Sequence, residues 1–66
     1  MIVEVNGKKT ELATPHSLAE AIQRWGYQDA PIAVARNDEF VPRRRYAEIQ
    51  LGDGDRLEIV VPMQGG

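Results

Sequence analysis

The sequence contains no cysteine, a single histidine, a single tryptophan and no long apolar run. Without cysteine the chain can form no disulfide, thiolate metal site, iron–sulfur centre or thiol nucleophile of its own, so any sulfur chemistry must be supplied from outside. This composition suits a reducing compartment. His16 has no second imidazole or thiolate to share a metal and is read as a solvated loop residue. No segment approaches the roughly 18 apolar residues of a membrane span, and the opening MIVEVNG lacks the basic region and apolar core of a signal peptide. The expected location is therefore cytoplasmic, with no membrane partner. A net charge of −2 gives no general attraction to nucleic acid.

What is present describes one small folded domain. At 66 residues there is no room for a second core, and the 42% hydrophobic and 27% charged fractions are too apolar and too balanced for disorder. A domain of this size buries only roughly 60% of the surface its unfolded chain exposes, so stability must come from packing and hydrogen bonds, with or without a partner.

The segment MIVEVNGKKTELA reads as a β-hairpin. Met1, Val3 and Val5 alternate on one side, Ile2 and Glu4 fall on the other, and Asn6-Gly7 is the favoured pair for a tight turn requiring positive φ at both central residues. Thr10 and Leu12 belong to the second strand. Ser17 and Glu20 then form a capping box ahead of a helix whose apolar stripe is Leu18, Ala21, Ile22 and Trp25. Gly26 suits the left-handed position that ends it. PIAVAR is a third strand whose buried face stays ambiguous between Ala33 with Ala35 and Ile32 with Val34. Asn37-Asp38 turns the chain into EFVP, a short edge strand limited by Pro42. RRRYAEIQLGDGD is an irregular connector with one helical turn, and RLEIVVP is the last strand, alternating Leu57, Ile59 and Val61 against Arg56 and Glu58.

One helix and one sheet of this order must cover each other. The expected fold class is α+β: a β-grasp (ubiquitin-like) plan, with a mixed sheet of four to five strands on one main helix and the first and last long strands side by side. The domain is drawn over residues 1–61, with 62–66 as a flexible tail.

Few residues suggest chemistry. Asp53 and Asp55 flank Gly54 as a bend before a strand does, and the remaining spacing of a calcium loop is missing. Arg43, Arg44 and Arg45 are either a solvated face or a docking patch for an acidic partner, and one such cluster is too little for a nucleic-acid site. Trp25 is read as core. No Gly-rich phosphate loop, Ser/His/Asp set or pair of catalytic carboxylates can be assembled, so the chain is not expected to be an enzyme by itself and no metal ligand is assigned.

The tail is the exception. At ordinary glycine usage a chain ends in Gly-Gly about one time in two hundred. Five residues from Pro62 reach roughly 16 Å when extended, and the final two lack Cβ atoms, so the end could enter a channel too narrow for side chains. A thin thread ending in a carboxylate suits delivery into another protein's active site.

With VARNDEFVPR and GDGDRLEIVVPMQGG in view, the sequence resembles the ThiS family, sulfur carrier proteins of thiamine thiazole biosynthesis related to the molybdopterin synthase small subunit and to ubiquitin. The likeness runs the length of the chain. Compact length and Val41-Pro42-Arg43 favour the thiazole branch, while Arg44 and Arg45 inherit no role. The resemblance implies that Gly66 carries the reactive carboxylate, adenylated and then converted to a thiocarboxylate, with Gly65 keeping the approach thin and Gln64 and Met63 lining the entry to a partner. It implies a ThiF-type adenylyltransferase, a ThiG-type thiazole synthase and a cysteine desulfurase relay as partners. ATP and magnesium are expected at the activating enzyme and no cofactor on the chain. The exposed sheet face near Ile2 and Val34, or the arginine cluster, would supply recognition. Rival readings are sulfur delivery to molybdopterin, a lysine-linked modifier, and a non-catalytic interaction module.

Overall fold

The computed structural model describes residues 1–13, 16–27 and 29–62. Its elements are β1 (Ile2–Val5), β2 (Lys8–Glu11), α1 (Leu18–Arg24), β3 (Ala33–Arg36), β4 (Glu39–Val41), a short 3-10 helix (Arg43–Arg45) and β5 (Arg56–Val60). Sheet order is β2-β1-β5-β3-β4. The β1 and β5 strands run parallel at the centre, with Glu4 opposite Arg56 and Val5 opposite Leu57, and the other three pairings are antiparallel. This mixed five-strand sheet with one helix is the β-grasp plan expected from the sequence.

Local chemistry sets the turns. Asn6 and Gly7 take φ of 50° and 82°, and Asn37 and Asp38 take 50° and 70°, so both hairpins close through consecutive left-handed residues that Asn, Asp and Gly tolerate. The helix starts as its capping box dictates: the Glu20 amide donates to Ser17 Oγ at 3.1 Å, and the Ser17 amide donates to Glu20 Oε1 at 3.1 Å. The Ser17 amide, then its hydroxyl, hold the Glu20 carboxyl below its ordinary value. The helix ends one residue before Trp25, which is the C-cap, and Gly26 follows at φ 86°.

The core is one layer between α1 and the sheet. Leu18, Ala21 and Ile22 from the helix meet Val3, Val34, Val41, Leu57 and Ile59 from the strands. Trp25, the C-cap, donates its amide to the Ala21 carbonyl at 3.0 Å and continues the expected stripe, half-buried against the core edge. The connector after the arginines contributes more than its composition suggests. Tyr46 and Leu51 are buried, and the segment runs beside the helix start, where the Ala19 and Leu18 amides donate to Tyr46 and Ile49 carbonyls at 3.0 and 2.8 Å. Among the described residues no helix is long and apolar enough to cross a membrane.

Candidate functional site

The residues singled out as the reactive tail, Met63, Gln64, Gly65 and Gly66, lie outside the described residues. What the structure places is the root from which they depart. Strand β5 ends at Val60, and Val61 and Pro62 continue from it exposed to solvent.

That root pairs with β3 on one side, Ala33 opposite Val60, and on its other side is held by a side chain. β1 turns away at Asn6, so β5 outruns it, and the Asn6 side chain extends the pairing. Its Nδ2 donates to the Ile59 carbonyl at 3.1 Å, and its Oδ1 accepts from the Ile59 amide at 2.8 Å. An Asn at this place in an Asn-Gly turn is explained by the turn alone, so nothing in the sequence pointed to this second task.

Recognition surfaces follow from register. Val34 stands opposite Val41 and Ile59, all buried, so it faces the helix. This corrects the expectation that Val34 belongs to an exposed face, and it resolves the ambiguity of β3: alternation sends Ala33 and Ala35 to the open side. Ile2 is exposed as expected. The open face also carries Phe40, 70% exposed, opposite Ala35, and Val60, 56% exposed, opposite Ala33. Small alanines between Phe40 and Val60 leave a shallow apolar strip that runs to the tail root.

The arginine cluster forms the 3-10 helix and is dispersed by it. Arg43 reaches the Ala30 carbonyl at 3.5 Å, Arg45 pairs with Glu48 at 3.4 Å on the surface, and Arg44 is exposed. The two aspartates weighed as cation ligands are occupied by turn hydrogen bonds. Asp53 Oδ1 accepts from the Ile2 amide at 2.7 Å, and the nearly buried Asp55 carboxylate accepts from the Gly52 amide at 2.8 Å, from Asn37 Nδ2 at 3.1 Å and from Arg36 Nε at 3.1 Å. Burial pushes the Asp55 carboxyl upward, but the Gly52, Asn37 and Arg36 donors outweigh it and hold the group below its ordinary value. Among the described residues no group of three or more His, Asp or Glu side chains could hold a metal ion.

Comparison with known proteins agrees with this architecture. The crystal structure of a thiamine biosynthesis protein (ThiS) from Geobacter metallireducens superposes with a TM-score of 0.86 at 26% identity, covering all of both chains. A solution structure of a thiamine biosynthesis protein from the same organism gives 0.82 at 28% identity, over all of this chain and 88% of the other. A thiazole synthase of Paramagnetospirillum magneticum is 33% identical over all 66 residues, which span only 20% of that relative's length. The ThiS family model matches residues 2–66. The chain belongs to the ThiS family.

Proposed function

We propose that the chain is a sulfur carrier in which the Gly66 carboxylate is the working group. A carboxylate resists nucleophiles because its charge is delocalised. Attack of a Gly66 oxygen on the α-phosphorus of ATP, in the site of a ThiF-type adenylyltransferase that also holds magnesium, releases pyrophosphate and leaves an acyl-adenylate. A sulfur nucleophile relayed from a cysteine desulfurase then forms the carbon–sulfur bond as AMP departs; with hydrosulfide the products are thiocarboxylate, AMP and a proton. A thiocarboxylate is more nucleophilic than its oxygen counterpart: its sulfur attacks an electrophilic carbon of the intermediate held by a ThiG-type thiazole synthase, and water then cleaves the acyl carbon–sulfur bond, leaving the sulfur on the acceptor. Gly66 ends as a carboxylate, ready for another round.

Apart from the Gly66 carboxylate, the residues of this chain serve geometry rather than bond-making. Gly65 and Gly66 keep the end thin, and Met63 and Gln64 contact the partner's entry. The Asn6 clamp fixes the end of β5, so that the tail departs from a defined point. The apolar strip of Phe40 and Val60 offers area for a partner that has taken the tail.

The observation that carries this reading is the family match running through Gly66. The likeness to part of a thiazole synthase supports that enzyme as the acceptor. Intact-mass analysis tests it. After incubation with ATP, activating enzyme and sulfide, the chain gains the mass of one oxygen exchanged for sulfur, localised to Gly66; an unchanged mass after full adenylation conditions rejects the carrier role.

A further inference from the structure

A second surface at the same end of the molecule is unaccounted for by the tail. Strand register places Lys8 opposite Val5 and Thr10 opposite Val3, so both look to the helix side of the sheet. Seven helical residues span only about 10 Å, however, and α1 stops at Arg24 without roofing this part of the hairpin. The result is an open cleft of about 320 Å³ lined by Val5, Asn6, Lys8, Thr10, Trp25 and Tyr27. Val5, Trp25 and Tyr27 pack against the core, so its apolar walls are backed by the folded domain. Lys8 stands exposed at the rim, with no ion pair among the described residues.

The cleft and the tail root share a residue. Asn6 lines the cleft and also clamps Ile59, three positions before Pro62. A protein that draws in a tail of roughly 16 Å reach must come close to this end of the sheet. Fixed aromatic walls beside an unpaired cation are what a protein interface uses for an apolar anchor next to a carboxylate.

Resting on the reading that the tail is delivered to a thiazole synthase, we infer that this cleft is the docking site for that enzyme, which inserts an apolar side chain between Trp25 and Tyr27 and sets a carboxylate against Lys8. The choice of occupant follows from the Paramagnetospirillum magneticum relative, a thiazole synthase in which the matching segment is part of a chain five times as long. There the domain and the remaining four-fifths are covalently held as neighbours.

Trp25 is the only tryptophan in the sequence, so fluorotryptophan labelling yields a fluorine NMR signal from the cleft alone, blind to the partner's own residues. Titrating the labelled full-length chain with unlabelled thiazole synthase from the same organism shifts this signal in step with complex formation measured by calorimetry. Lys8→Glu weakens the complex roughly tenfold. Lys9→Glu makes the same change in net charge but on the opposite face, beside Glu4, and leaves affinity within about twofold. A complex that forms without moving the Trp25 signal, or equal losses from the two lysine variants, overturns the docking site and leaves the carrier role standing. A shift produced by the chain's own self-association, or by the activating enzyme and not the synthase, also overturns it. Absence of any complex with the synthase rejects both the docking site and the proposed acceptor, whereas sulfur loading at Gly66 is scored separately by mass.

Discussion

Asn6 and Ile59 are joined by two hydrogen bonds, one in each direction, between a side chain in the first turn and the backbone of the last strand. The contact spans 53 positions in sequence and secures the segment from which residues 63–66 depart. Replacing Asn6 by glycine keeps the left-handed turn but removes both bonds, so it isolates the clamp. Stability falls by about 1–2 kcal/mol, and the Ile59 amide exchanges with solvent faster relative to the Leu57 amide. Asn6→Ala also loses the short polar side chain that lets asparagine tolerate positive φ, and costs about 1 kcal/mol more than Asn6→Gly. Chemical denaturation and hydrogen exchange measure the two effects.

Acid stability depends on Asp55. Its carboxyl sits below the ordinary value of 3.8 in the folded chain and returns to that value on unfolding. The unfolded state thus binds the proton more readily, and folding stability rises with pH across this window. The contribution is fully present above about pH 4 and is lost as pH falls through the folded-state value. Asp55→Asn lowers stability at neutral pH and flattens the acid limb of the denaturation midpoint plotted against pH.

Two neighbouring apolar residues on opposite faces of the sheet separate packing from recognition. Val34 is 1% exposed, and Val34→Ala leaves a cavity costing about 2 kcal/mol. Phe40 is 70% exposed, and Phe40→Ala changes stability by less than about 0.5 kcal/mol. If the open strip is used by a partner, the Phe40 variant loses affinity for it at unchanged melting temperature. Thermal melts and binding isotherms on the same preparations make the comparison.

Deleting Gly66 moves the terminal carboxylate back to Gly65, about 3.5 Å short of its natural reach, and removes no core residue. The expected outcome is an unchanged melting temperature, with no exchange of pyrophosphate into ATP by the activating enzyme and no mass gain from sulfide. Normal sulfur loading of this variant, or of a chain blocked by a residue after Gly66, contradicts the proposed role.

Much of the fold is legible in local sequence because its signals are short-range. Asn6-Gly7, Asn37-Asp38 and the Ser17–Glu20 box each act within a few residues, and each turn or cap forms where its chemistry demands. The β3 strand was not decidable in this way. Ala33, Val34 and Ala35 carry no strong alternation, and the face is chosen only when Val34 meets Val41 on one side and Ile59 on the other. Tyr46 was equally opaque, because after three arginines it looks like part of a basic surface, yet the turn of 3-10 helix carries it into the core.

The sequence by itself determined the turns, the helix limits, the order of elements and the resemblance carried by the Val41-Pro42-Arg43 segment and the paired glycines, since these depend on residues close together along the chain. Only the tertiary structure decided which face of β3 is buried, that Asn6 holds Ile59, and that Trp25, Tyr27 and Lys8 border one cleft. Those are contacts between residues far apart in the chain, and their partners are set when the strands choose neighbours and the short helix settles over part of the sheet, leaving the rest open.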